Sequence, residues 1–341
     1  MTVSEGRLRD PVLVIGGYGY GNVGDEAILR GLLTRLAGHS VTVVSRSPTE
    51  TSVLHGVRSI GIEQATAALR RHRSVVIGGG GLFGRDMGRI GRMLPAFGLL
   101  AVGLGKTVVI DGVDVELPAS PSGRVLLPAL MKAAHSVGVR DRASARVVSD
   151  WGVTPVLRPD LSTWMAPASP ASGRQLLART GLDLQKPIVG LALTAVNERL
   201  AQPMLLAVMR SMDALPDVQF CFIPMGRHPS VPTHDDSRLG AHLASLRPSL
   251  HQLDGQLAPD VVLAAFSHLS SVVAMRYHAM LFAERAGIPL IPVPYAEKTK
   301  RWLVEHERSA VRADAADLSN ALRQALAETE RVERSFIRAA S

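Results

Sequence analysis

Cysteine is almost missing from this chain: Cys221 is the only one in 341 residues. No disulfide can form within one chain, which agrees with a reducing compartment. Aromatic residues make up 4%, too few for the stacking platforms of a carbohydrate-binding module. No block of basic residues interleaved with aromatics occurs, so the sequence argues against nucleic acid as a partner. The apolar run at 94–104 is too short to span a bilayer and is broken by Gly98 and Gly103, so it reads as a buried helix. Residues 1–10 mix charges without an apolar core, so we expect no secretory signal and a cytoplasmic protein. A G-x-S-x-G elbow, a P-loop lysine pattern and a paired-cysteine motif are all lacking.

What is present describes a soluble globular protein, with 46% hydrophobic and 20% charged residues. The length is too great for one ordinary core and implies two domains of similar size. A formal charge of +8, carried mostly by Arg, is spread along the chain. That distribution suits a basic cleft for acidic or phosphorylated substrates, and equally an attraction to anionic membrane.

Short apolar runs alternate with helical patterns from Val12 onward, which is the signature of a parallel sheet with helices on both faces. Residues 162–173 shift to Pro, Ser and Ala, and the alternation then restarts. We therefore expect an α/β protein of two Rossmann-like doubly wound domains facing across a cleft, as in B-type glycosyltransferases. The expected division is 1–165, a linker at 166–186, 187–314, and a C-terminal helix at 315–341.

The stretch 270–294 organises the second half. An apolar strand around Val272 to Met275 runs into a helix from Ala279, with Gly287 as its stop and a further strand after it. Arg276 and His278 thus fall where a buried strand ends and a helix begins, the edge at which open α/β sheets bind ligands. A guanidinium and an imidazole there suit an anionic substrate that needs a proton moved. Equally, Arg276 could pair with an acid and His278 bond a neighbouring loop.

In the first half, 19–24 fits G-x-G-x-x-G after a strand. Asp25 and Glu26 place two carboxylates where a pyrophosphate would rest, so a dinucleotide is not expected. Those side chains suit a polyhydroxyl ligand, or simply cap the helix. Gly78 to Gly81 reads as cleft lining or as a tight turn. Arg140 ends another strand, in the position that Arg276 has in the second half; it could reach the same anion, or pair with Asp141 at the surface. His228, His234, Asp235 and Asp236 share a long loop, but their spacing matches no strong metal-ligand pattern.

Taken together, these motifs resemble the polysaccharide pyruvyltransferase family, including members that pyruvylate bacterial cell-wall glycans. The resemblance rests on residues 17–29 (GYGYGNVGDEAIL), 76–83 (VIGGGGLF), 139–144 (VRDRAS) and 275–279 (MRYHA). Pro224-Met225 followed by His234-Asp-Asp236, and Tyr295 with Lys298, extend it in order along the chain. Tyr277 stands where Leu is more usual. The family transfers the carboxyvinyl carbons of phosphoenolpyruvate to two hydroxyls of one sugar, giving a cyclic pyruvate ketal and phosphate without cofactor or metal.

The resemblance then implies a donor site of Arg140, Arg276, Tyr277, His278 and Lys298. Arg140 and Arg276 would clamp the carboxylate and phosphate bidentately, and His278 would handle protons. The acceptor, a glycan or lipid-linked glycan, would lie against Gly19, Asn22, Asp25, Glu26, Gly79, Gly80 and Gly81. A lipid-linked acceptor would bring the enzyme to the inner membrane face without a span, and a homo-oligomer is left open. The rival readings are a nucleotide-sugar-dependent B-type glycosyltransferase and a non-catalytic sugar- or nucleotide-binding module.

Overall fold

The structure, a computed structural model, describes residues 8–85, 89–196, 198–228, 230–311 and 315–340. The chain divides into two compact units. One comprises Met1–Tyr20 and Asp25–Ala166, the other Gly21–Gly24 and Pro167–Ser341.

The first unit is built on β1 (Val12–Ile15), β2 (Val41–Ser45), β3 (Arg58–Gly61), β4 (Ser74–Phe83), β5 (Thr107–Val115), β6 (Ser136–Val139) and β7 (Val156–Leu157). Their order is β3-β2-β1-β4-β5-β6-β7, and the pairings are parallel. Strand β1 is Val-Leu-Val-Ile and wholly buried, as a central parallel strand with both faces covered must be. Leu13, Val75 and Ile77 face one core with Leu94 and Leu130. Val12, Val14 and Val76 face the other, with Ile28, Leu29 and Leu32 of the helix Val23–Arg35.

Strands β4 and β5 run further than the sequence implies. Gly78 to Gly81 does not end β4 in a turn; the strand continues through it to Phe83. Gly79 and Gly80 take φ of 71° and 78°, and the register with β5 shifts after Gly80. Across the ladder, Gly112 has φ of 64° in a matching irregularity against β6. Only glycine adopts those angles without strain, so the bulges need it. Asp111 and Asp114 lie inside β5, each nearly buried.

Those carboxylates are neutralised by arginines. Arg35 reaches Asp111 at 2.5 Å and Arg158 approaches it at 3.1 Å. Arg140, at the end of β6, holds Asp114 through Nε and Nη2 and Asp160 through Nη1 at 2.7 Å. Its side chain is only 2% exposed. The expectation of Arg140 as a substrate clamp is therefore corrected: the fork is turned onto two buried carboxylates and is closed to solvent.

The second unit is built on β8 (Ile188–Ala192), β9 (Gln219–Phe222), β10 (Leu250–Gln252), β11 (Ser271–Ala274) and β12 (Leu290–Pro292). Their order is β10-β9-β8-β11-β12, again parallel. In both sheets the order reverses once, between β1 and β4 and between β8 and β11, which makes each a doubly wound Rossmann-like sheet.

Two segments expected to stand apart belong to this unit's body. Within 166–186 lies the helix Pro170–Ala178, begun by Ser169 accepting from the Ser172 amide. Its Gly173 meets the backbone of Ala264, where a Cβ would come within 2.4 Å. In the C-terminal helix Ala315–Ala340, Leu318, Leu322 and Ala325 pack in one core with Val273 and Ile291.

Arg140→Met removes the cation that Asp114 and Asp160 share. We expect a loss of about 3–5 kcal/mol in urea unfolding; a loss under about 1 kcal/mol contradicts the buried network.

Candidate functional site

In the second unit the chemistry gathers at the carboxyl ends of β8, β9, β11 and β12. Arg276 leaves β11 in extended backbone (φ −74°) and is the N-cap of the helix Tyr277–Ala286. Its Nε donates to Asp236 Oδ2 at 2.9 Å and its Nη2 to Oδ1 at 2.5 Å. Asp236 is fully buried and opens the helix Asp236–Leu246 in the loop that follows β9. The same Oδ2 accepts from the Gly226 amide at 2.9 Å, and the Thr194 hydroxyl beyond β8 also bonds the carboxylate. Tyr295, beyond β12, hydrogen-bonds Arg276.

Burial pushes the Asp236 carboxyl above its ordinary range, against the opposing pull of Arg276, Thr194 and Gly226. Burial also works against the charged guanidinium, yet Asp236 and Tyr295 carry Arg276 above its ordinary value. The guanidinium therefore stays charged, with its Nε–Nη2 edge fixed on Asp236 and 14% of the side chain still exposed. Planar, held and still accessible, it is suited to a carboxylate or phosphate.

Residues 21–24 lie in this unit although their sequence neighbours do not. Asn22 forms an antiparallel bridge with Gly226, the Val23 amide donates to Met225 O at 2.9 Å, and the Arg227 amide donates to Gly21 O at 2.9 Å. Gly21 takes φ of 72°, and a Cβ there would meet Arg227 O at 2.6 Å. Asn22 Oδ1 accepts from the Gly24 amide at 2.9 Å and caps the helix that starts at Val23. Gly24 then lies against the His278 ring: a Cβ on it would stand 2.0 Å from Nδ1. On another side the Tyr277 ring meets His278 edge-on at 5.3 Å. Asn22, Arg276, Tyr277 and His278 are thus gathered in one unit. Lys298 is half-buried in the first turn of the helix Glu297–Glu305, which follows Tyr295.

In the first unit Tyr18 donates its hydroxyl to Gly78 O at 2.9 Å, tying the turn after β1 to the glycine run of β4. Burial, then Asp25 and Glu26, hold the Tyr18 phenol well above its ordinary value, so it remains a donor. Asp25 faces that run: a Cβ on Gly80 would stand 3.2 Å from its Oδ1, and one on Gly17 3.7 Å from its Oδ2. Gly81 is exposed, above Asp114. Asp25, Gly79, Gly80 and Gly81 thus share one sheet edge.

Glu26 has a different part. Its Oε1 accepts from the Gly19 amide at 2.8 Å and its Oε2 pairs with His55 Nε2 at 2.8 Å, with both side chains buried. Gly19 and Glu26, expected at the acceptor, are occupied in fixing the loop itself. Among the described residues no group of His, Cys, Asp or Glu could hold a metal. In the 224–236 loop Asp235 accepts from Ser237 and caps its helix, while His228 Nδ1 accepts from the amides of Ser230 and Val231.

A model of the family described as polysaccharide pyruvyl transferase matches residues 22–297. The chain belongs to that family. The matched span begins at Asn22 and takes in the Asp236–Arg276 pair, His278 and Tyr295. No curated protein matches the chain in sequence.

Solved structures resemble it in fold. UDP-GlcNAc 2-epimerase from Neisseria meningitidis, bound to UDP-GlcNAc, is 11% identical with a TM-score of 0.64, over 92% of this chain and 90% of that one. UDP-GlcNAc 2-epimerase from Methanocaldococcus jannaschii is 10% identical, with a TM-score of 0.62 over 92% of each chain. ADP-heptose LPS heptosyltransferase II from E. coli is 13% identical with a TM-score of 0.55, over 94% and 99%. This pyruvyl transferase family member therefore has the two-domain Rossmann-like fold of B-type glycosyltransferases and epimerases.

Sequence reasoning marked Gly24 only as part of a glycine motif, not as the seat of His278, left the acid partner of Arg276 unnamed, and passed over Thr194. Asp236 opens a helix at the far end of the long loop after β9, and Arg276 caps the helix that follows β11, so the available signal was that both stand at helix starts on the carboxyl side of the sheet.

Two outcomes follow. Gly24→Ala must displace the His278 ring, so its imidazole NMR resonances shift, whereas Gly103→Ala, with nothing within 4 Å, leaves them in place. Unmoved resonances in Gly24→Ala contradict the contact. Burial, then Arg276 and His228, hold His234 below its ordinary value of 6.5, with Asp236 pulling the other way. Below that pH the unfolded chain takes up the proton first, so stability falls on acidification and is unaffected above it. Urea midpoints between about pH 5 and pH 7.5 should show a shallower acid loss in His234→Gln than in the wild type; equal losses contradict it.

Proposed function

We propose that the protein transfers pyruvate from phosphoenolpyruvate to two hydroxyls of one glycan sugar, forming a cyclic ketal and releasing phosphate. The family membership supports the class of reaction. The observation that carries the reading is Arg276, fixed by Asp236 and Tyr295, two residues from His278 on the same helix start.

Phosphoenolpyruvate is a small trianion with one nucleophilic carbon. Arg276 binds one of its anionic groups, and Lys298 is the second cation of the donor set in place of Arg140. Protonation of the methylene carbon makes a methyl group and leaves positive charge at carbon two. A sugar hydroxyl adds there and gives up its proton. Phosphate then departs, the second hydroxyl adds to the same carbon, and its proton leaves with phosphate as hydrogen phosphate. His278 is the proton-transferring group, seated by Gly24 and Tyr277. Asp25 beside Gly17 and Gly80 in the first unit is the acceptor-binding carboxylate, able to take hydrogen bonds from sugar hydroxyls.

The second reading is a nucleotide-sugar glycosyltransferase. It is favoured by neighbours of the same fold, one of which is bound to UDP-GlcNAc. Phosphate release from phosphoenolpyruvate that depends on a glycan, with no nucleotide sugar added, supports the pyruvyl reading; turnover only with a nucleotide sugar supports the other. With phosphoenolpyruvate, His278→Ala should lower kcat by about 10²–10⁴-fold while the donor still binds. Arg276→Lys should weaken donor binding by roughly 10–100-fold, because an ammonium cannot reproduce the planar fork. Full turnover in His278→Ala contradicts its role.

A further inference from the structure

The first unit carries a surface that neither reaction nor core explains. The helices Arg89–Gly103 and 121–133 lie side by side, with Gly98 of one against Leu130 of the other. The first turns an apolar stripe outward: Met93 is 54% exposed, Leu100 44% and, just past the helix end, Leu104 52%. These positions, with exposed Ala96 between them, recur at helical spacing, so they form one face rather than scattered surface residues. On the neighbouring helix Val125 is 68% exposed.

The charged side chains carried by these two helices have one sign. From 89 to 110, and again from 117 to 140, the sequence contains no Asp or Glu. Arg92, Arg124 and Lys132 are exposed on the two helices, and Lys106 follows the first of them. No helix among the described residues is long and apolar enough to cross a membrane. An outward apolar stripe on helices whose charged side chains are all cations is the composition of a surface that lies in the headgroup region of an anionic bilayer.

We propose that this face is a peripheral docking surface for anionic lipid. Charge decides among occupants. A second copy packed isologously would set cations against cations, whereas an anionic leaflet neutralises them while the stripe enters the acyl boundary. The inference is independent of the reaction proposed above, because it rests on a different face and is read by binding alone.

The test is co-sedimentation of the full chain with phosphatidylcholine vesicles, with and without phosphatidylglycerol. The wild type should bind the mixed vesicles at least about tenfold better than the neutral ones, and raised salt should reduce that binding. Arg124→Gln with Lys132→Gln should weaken it by roughly 25-fold, at about fivefold per cation. Leu100→Glu with Leu104→Glu should abolish it, with an unchanged melting temperature because both side chains are exposed. Equal binding to the two vesicle types, binding retained in both double variants, or a wild-type dimer that the Leu100/Leu104 variant dissociates without any lipid binding would each overturn the proposal.

Discussion

The second unit depends on one buried carboxylate. Asp236 has no solvent contact, so its charge survives only because the Arg276 fork, the Gly226 amide and the Thr194 hydroxyl all converge on it. Those partners come from the ends of β8, β9 and β11, so one ion pair fixes three strand ends at the point where the strand order reverses. Removing either member would leave a lone buried charge, which costs far more than an exposed pair contributes. That cost holds the Arg276 fork in one place while part of its side chain stays exposed.

The two units show what the same position does under different surroundings. Arg140 and Arg276 both end a parallel strand, and both are forked onto an Asp. Arg140 has a second carboxylate, Asp160, and is sealed from solvent; Arg276 has a tyrosine hydroxyl instead and keeps part of its surface open. Charge balance separates the structural arginine from the accessible one. The neutralised network under β5 in turn supports the glycine bulges of β4, beside which Asp25 lies.

Much of the architecture was legible because buried parallel strands announce themselves: Val12 to Ile15 and Val272 to Ala274 are apolar runs of the right length. The carboxyl halves of β4 and β5 were not legible, since Gly-Gly-Gly-Gly and Asp-Gly-Val-Asp read as strand breakers. Their strand conformation is stabilised by bulges and by arginines distant in sequence. The helix Pro170–Ala178 was hidden in a Pro- and Ser-rich composition, although Ser169-Pro170 is a proper helix start.

At the site, the motif around Arg276 and His278 stood out from its place at a strand end. That 21–24 would join the other unit could not be read locally, because its partners Met225, Gly226 and Arg227 lie some two hundred positions away. Glu26 misled for a similar reason: its partner His55 ends a helix with no motif to mark it.

The most direct test of this account is a double-mutant cycle on phosphoenolpyruvate binding, measured calorimetrically for wild type, Asp236→Asn, Arg276→Met and the double variant. If Asp236 acts by holding Arg276, each single variant weakens binding, and the double variant binds no worse than Arg276→Met alone. Losses that simply add would contradict the account, and so would a wild type that does not bind phosphoenolpyruvate.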